Sequence, residues 1–173
     1  FLKVLNMPAA FNISYRKITV STCGIVPEIH RLADEGIPIT LAVSLHAPND
    51  EIRNRLMPIN TRYPLSQLLD ACKYYIMKTN RRITFEYALI AEINDTDECA
   101  RELSNLLKGM LCHVNLIPLN PVEGKPFRRS SPSQVQKFEK ILLANGISAT
   151  VRRELGSDIQ AACGQLRRRL LMR

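Results

Sequence analysis

The chain has 173 residues, 46% apolar content and a formal net charge of +8, enough apolar side chain to build one domain's core without disulfides. No apolar run approaches the roughly 18 residues of a membrane-spanning helix, and the start, FLKVLNMPAAFNISYRK, lacks the charged-then-apolar order of a signal peptide, so a cytoplasmic protein is expected. Five cysteines (Cys23, Cys72, Cys99, Cys112 and Cys163), none closer than thirteen residues to the next, write neither a disulfide framework nor a CxxC metal knuckle and read as reduced thiols.

In chain order, RKITVST (16–22) reads as the first strand. A short helix over 27–35 follows, with Ile29, Leu32 and Ala33 on one stripe, proline at its entry and Gly36 at its exit. ITLAVSLH (39–46) is the second strand, and Asp50 precedes a helix-like EIRNRL. The segment 64–77 carries Leu65, Leu68, Leu69, Cys72 and Ile76 at helical spacing. RRITFEYAL (81–89) is the third strand, and 97–108 a helix closed by Gly109. HVNLIPL (113–119) is the fourth strand. Ser131, Pro132, Ser133 and Gln134 then form a capping box with proline at the first helical position, opening a helix through Val135, Phe138, Ile141 and Leu142 that ends at Asn145 and Gly146. SATVRREL (148–155) is the last strand.

Several strands are apolar at nearly every position, the pattern of strands covered by helices on both faces. Alternating strands and helices call for a parallel α/β sheet, which a barrel fragment and a doubly wound sheet satisfy equally, in one domain without repeat or linker. In either architecture chemistry belongs at the C-terminal ends of the strands.

Those ends read STCG (21–24), SLHAPND (44–50), ALI (88–90) and PLNP (118–121). Hydroxyls, an imidazole and a carboxamide suit a polar, multi-featured ligand such as a nucleoside, and turn-capping chemistry also uses these residues. His46, with only His30 and His113 elsewhere and no carboxylate pair at ligand spacing, points to hydrogen bonding rather than to a metal, and no metal ligand is expected in this chain. GxSxG, P-loop and GxGxxG patterns are absent. Basic charge favours a polyanionic partner. It concentrates in Arg152, Arg153, Arg167, Arg168, Arg169 and Arg173, and in Lys125, Arg128 and Arg129 of an expected loop. Cys163 lies among small residues in GSDIQAACGQL (156–166), with Arg152, Arg153 and Arg167 near in sequence, a setting that favours a reactive thiolate.

Taken together, ITVSTCGIVP (18–27), LAVSLHAPNDEIRNRLMPIN (41–60), VNLIPLNP (114–121), RRSSPS (128–133) and DIQAACGQL (158–166) resemble the dual-specificity ribosomal and transfer RNA adenine-C2 methyltransferases, a radical S-adenosylmethionine family. The resemblance implies the C-terminal portion of a partial (β/α) barrel of the radical S-adenosylmethionine type. It implies S-adenosylmethionine bound by Ser21, Ser44, Leu45, His46 and Asn120, with Cys163 as the cysteine that accepts the methyl group and passes it, after hydrogen abstraction, to adenine C2. It further implies a [4Fe-4S] cluster, an external electron donor, and 23S rRNA and tRNA as substrates. The family's CxxxCxxC motif, resolving cysteine, glutamate base and glycine-glutamate turn are not in this sequence and are expected upstream of Phe1, so the chain alone is expected to be inactive. A sister group that methylates adenine at C8 shares these motifs. A non-catalytic RNA-binding α/β domain would explain the charge but not SLHAPND, and a phosphate-handling barrel enzyme would need a glycine-rich loop that is missing.

Overall fold

The structure, a computed structural model, describes residues 1–120 and 127–152. Five strands, β1 (Thr19–Thr22), β2 (Thr40–Ser44), β3 (Ile83–Leu89), β4 (Cys112–Pro118) and β5 (Ala149–Val151), form one sheet in the order of the chain, and every neighbouring pair is parallel. Between them run α2 (Val26–Asp34), α3 (Asp50–Leu56), α4 (Leu65–Thr79), α5 (Asp97–Leu107) and α6 (Pro132–Ala144), and α1 (Leu2–Asn6) precedes the sheet. Single 3-10 turns lie at Tyr15–Lys17 and Pro58–Thr61.

Sequential strand order decides between the two architectures left open by the pattern of elements. Parallel crossovers share one hand, so strands laid down in one direction keep all their helices on one face, whereas a doubly wound sheet reverses direction to cover both. The burial agrees. Leu41, Val43 and Leu45, then Ile83, Phe85, Tyr87 and Leu89, then Val114 and Leu116, then Ala149 form one core with Ile29, Leu68, Cys72, Leu103, Phe138 and Leu142 of the helices. The register Leu41–Ile83–Cys112 and Val43–Phe85–Val114–Ala149 puts these strand residues on a single side.

The expectation of strands covered on both faces therefore needs correction. β3 and β4 each alternate buried and half-buried residues along their full length. The second face carries Thr84, Glu86 and Ala88 in β3, and His113, Asn115 and Ile117 in β4. Polar residues at every second position mark a face without a helical cover. This is the inward, concave side of a barrel segment.

The helices begin and end where the sequence punctuates them. Ser131 caps α6 by accepting a hydrogen bond from the Gln134 N–H at 3.2 Å, and Pro132 occupies the first turn. Thr96 caps α5 in the same way, accepting from the Cys99 N–H at 3.2 Å. α3, unclaimed beyond a helix-like EIRNRL, is capped by Asn49, whose side-chain oxygen accepts from the Ile52 N–H at 3.0 Å.

Candidate functional site

The concave face is built in rows. Residues paired across parallel strands point the same way and stand ~4.8 Å apart. Ser21, Ala42, Thr84 and His113 make one row, and Ser44, Glu86, Asn115 and Thr150 make the next towards the C-terminal ends. Within these rows the Asn115 amide donates to the Glu86 carboxylate at 2.9 Å, and the His113 ring nitrogens lie 2.9 Å from the hydroxyls of Ser148 and Thr150. A barrel interior filled only for packing is dominated by branched apolar side chains. Hydroxyls, an amide, a carboxylate and an imidazole instead suit a polar occupant.

Above the second row sits His46, in the left-handed region at φ +57°, where a non-glycine residue is held only by its surroundings. Its Nδ1 accepts a hydrogen bond from the Ala88 N–H at 3.0 Å. Acceptance at Nδ1 requires that nitrogen to be unprotonated, so the ring proton sits on Nε2. Burial, seconded by the nearby Arg53 charge, lowers the imidazole pKa to about 4. His46 is thus a neutral donor through Nε2 at physiological pH, neither a cation nor a proton shuttle.

The backbone carrying these side chains is pinned from below by Arg53. Although its guanidinium is fully buried, every partner is neutral: Nε donates to the Leu45 carbonyl (3.0 Å), one terminal nitrogen to the Asn60 side-chain oxygen (2.7 Å), and the other to the carbonyls of Cys23 (3.0 Å) and Ser44 (3.0 Å). The ends of β1 and β2 are thereby tied to one side chain. Asn60 is held in turn by the oxygens of Asp50 (2.7 Å) and Asn54 (2.8 Å). Gly24 leaves the space this arrangement needs, for at φ +102° a Cβ there would lie 3.1 Å from Leu68 Cδ1 and 3.2 Å from an Arg53 nitrogen.

A second clamp joins β2 to β3. The Asn94 amide donates to the carbonyls of His46 (2.8 Å) and Ala88 (2.7 Å) while its oxygen accepts from the Ile90 N–H (2.7 Å). The Tyr87 hydroxyl, donating to the Asn94 carbonyl at 2.8 Å, anchors the clamp in the core.

Of the residues named from the sequence, Ser21 and Ser44 stand on the concave face in adjacent rows, His46 lies just beyond Ser44, and Asn120 follows β4 by two residues, half-buried. The Leu45 side chain is in the core, its N–H donates to the Glu86 carbonyl at 3.0 Å, and its own carbonyl accepts from Arg53. Cys163, Lys125, Arg153, Arg167, Arg168, Arg169 and Arg173 lie outside the described residues. Glu86, Asn115, Arg53 and Asn94 went unnamed in the sequence. The period-two polar positions of TFEYAL and HVNLIP were a legible signal for the first two, whereas nothing local marks a buried Arg53.

The described thiols divide clearly. Burial pushes Cys72 up to about 12 and Cys112 up to about 11, and raises Cys99 as well, so all three stay protonated. Cys23 is exposed at the end of β1. No three His, Cys, Asp or Glu side chains converge as metal ligands among the described residues, and no helix among them is long and apolar enough to cross a membrane.

Comparison with known proteins gives the geometry a context. The chain is 59% identical over 169 residues to the dual-specificity RNA methyltransferase RlmN of Alkaliphilus metalliredigens and 60% identical over 171 residues to that of Caldanaerobacter subterraneus, covering 98% and 99% of this chain but 48% and 50% of those proteins. A radical SAM methyltransferase crystal structure from Sphaerobacter thermophilus matches with a TM-score of 0.90 at 54% identity, over 95% of this chain and 48% of that one. A domain of pyruvate-formate lyase-activating enzyme from Bacteroides vulgatus shares the fold alone, at TM-score 0.55 and 14% identity. No protein-family model matches.

A one-sided parallel sheet with polar side chains at its strand ends, superimposable on half of a radical SAM methyltransferase, defines the class as that barrel type. Within the class, the chain is similar over nearly its whole length to one half of the dual-specificity RNA methyltransferases, at 59–60% identity, and spans about half the length of the curated relatives it matches.

Proposed function

We propose that the chain is part of a radical S-adenosylmethionine enzyme that methylates C2 of a specific adenosine in 23S rRNA and in tRNA, and that it contributes one side of the cofactor site together with the methyl-accepting Cys163. The observation that carries this reading is the polar concave face at the strand ends, present in a sequence 59% identical to RNA methyltransferases.

The residues suit S-adenosylmethionine. Ser44 and Ser21 offer hydroxyls, His46 a neutral N–H through Nε2, and Asn120 a carboxamide, against a backbone held still by Arg53 and Asn94. Leu45 contributes by its place between Ser44 and His46, its side chain anchoring that strand end in the core. S-adenosylmethionine supplies the methyl group and, with a [4Fe-4S] cluster and an external electron donor, the radical chemistry. Ligands for that cluster are assigned to the remaining half of the protein.

Cys163 is given the covalent part because sulfur alone among common side chains is both nucleophilic enough to take a methyl group and able, as a thioether, to stabilise an adjacent carbon radical. Three of the other four thiols are buried and held protonated, which removes them from this chemistry. RNA as the substrate accords with the net charge of +8, and the enzyme is expected to work in the cytoplasm.

The test uses the full-length enzyme. Cys163→Ser retains shape and loses both sulfur properties, so RNA methylation should be abolished while the thermal transition stays within a few degrees of wild type. Peptide mass spectrometry should place one added methyl on the Cys163 peptide and none on those containing Cys23, Cys72, Cys99 or Cys112. Methylation by the serine variant, or a methyl on another cysteine, would reject the assignment.

A further inference from the structure

The second row of the concave face contains a carboxylate with no cation to answer it among the described residues. Glu86 stands between Ser44 on one side and Asn115 on the other, all three paired in register and facing the same way. Its recorded hydrogen-bond partner among the described residues is the neutral Asn115 amide, at 2.9 Å to Oε2, and no salt bridge to it is formed among them. Arg53, at the same strand ends, spends its donors on three carbonyls and Asn60.

The backbone at this point is also committed. The Glu86 carbonyl accepts from the N–H groups of Leu45 (3.0 Å) and His46 (3.3 Å), so this residue fixes the strand end that presents Ser44 and His46. A half-buried carboxylate steered by an amide but not neutralised is a preformed acceptor for a positive charge. Placing it ~4.8 Å across the sheet from a residue assigned to the cofactor leaves a short reach between the two.

We propose that Glu86 is a further cofactor-binding residue, whose carboxylate, oriented by Asn115, answers the sulfonium charge of S-adenosylmethionine. The inference rests on the cofactor-site reading above and adds to it the group that distinguishes the charged cofactor from its neutral thioether product. An enzyme that must release S-adenosylhomocysteine after each methyl transfer gains from such a contact, because the attraction disappears with the charge.

Dissociation constants for S-adenosylmethionine and S-adenosylhomocysteine, measured by calorimetry on the full-length protein, test this without recourse to turnover. Glu86→Gln retains size and can still accept from Asn115, so the fold should survive. Affinity for S-adenosylmethionine should fall about tenfold, which corresponds to the loss of one charge-assisted contact. Affinity for S-adenosylhomocysteine should change less than threefold. Glu86→Asp, which keeps the charge, should recover most of the S-adenosylmethionine affinity, and an unfolded Gln variant would shift the decision to this one: tenfold weakening of both ligands by Asp would reject the charge role. Equal loss of both ligands in Glu86→Gln, or unchanged affinity for S-adenosylmethionine, would likewise overturn the proposal. Ser44→Ala and His46→Ala separate the two levels. If they weaken binding and Glu86→Gln does not, only the Glu86 role fails, whereas unchanged binding in all three removes the cofactor-site reading itself.

Discussion

Arg53 shows how one side chain decides where others point. Burying a guanidinium costs several kcal/mol even after relaxation, and burial lowers its pKa while Asp50 opposes that shift. No carboxylate bonds to it directly, so what offsets the cost is four hydrogen bonds to neutral oxygens, two of them buried and two part-buried. Three of those oxygens, the carbonyls of Cys23, Ser44 and Leu45, belong to the ends of β1 and β2, beside Ser21, Ser44 and His46. Lysine retains the charge but cannot fork to three carbonyls and an amide at once. Arg53→Lys, with three donors for four acceptors, should therefore leave at least one acceptor unpaired and cost about 1 kcal/mol or more. Urea denaturation of the full-length enzyme would show this as a lower midpoint with an unchanged slope. An unaltered midpoint would mean that the strand ends hold their geometry without the guanidinium.

At the scale of elements, what could be read in advance was whatever the local chain encodes by itself. α6 is the clearest case, since Ser131 and Pro132 open it and Asn145 and Gly146 close it. Ser131→Ala removes the acceptor for the Gln134 N–H and should cost about 1 kcal/mol, measurable as a drop in melting temperature, because the cap is exposed and water replaces it in part. A change within the error of the melt would show that Pro132 and the packing of Val135, Phe138 and Leu142 hold the helix start without it. Other elements depend on partners that sequence does not name. α3 is short, charged, and built around Arg53, whose buried guanidinium is met by carbonyls at positions 23, 44 and 45 and by the Asn60 side chain. The one-sided cover of β3 was written in the alternation of Thr84, Glu86 and Ala88, yet Ala88 and Ile117 are apolar on that same face and make the strands look uniformly buried. The strand ends that carry Ser21, Ser44 and Asn120 were legible because turn and strand signals locate them. Glu86 and Asn115 lie inside strands, where period-two polarity marks each residue's face but only the register sets the two side by side.

For the whole molecule, the one-sided core sets a gradient of stability across the sheet. β3 has seven residues, is paired on both sides, and buries Ile83, Phe85, Tyr87 and Leu89 completely. β4 is equally long, though its second partner, β5, has three residues. Among the described residues β1 has a single neighbour, and none of its four residues is fully covered. α1 buries nothing and leaves Phe1, Val4 and Met7 exposed, as are Phe11 and Ile13 after it. Amide exchange reports local opening, which is costly where both ladders and a dry core must be broken and cheap where one ladder borders water. Hydrogen exchange followed by mass spectrometry on the 173-residue chain should then find Ile83–Leu89 slowest and Cys112–Pro118 next, with Thr19–Thr22 faster and Leu2–Asn6 fastest. In the full-length protein, protection of Thr19–Thr22 should rise by at least tenfold over the isolated chain if the remaining half covers that edge, while Ile83–Leu89 should gain least at equal global stability. Equal protection of β1 and β3 in the isolated chain would contradict a stability gradient set by one-sided burial.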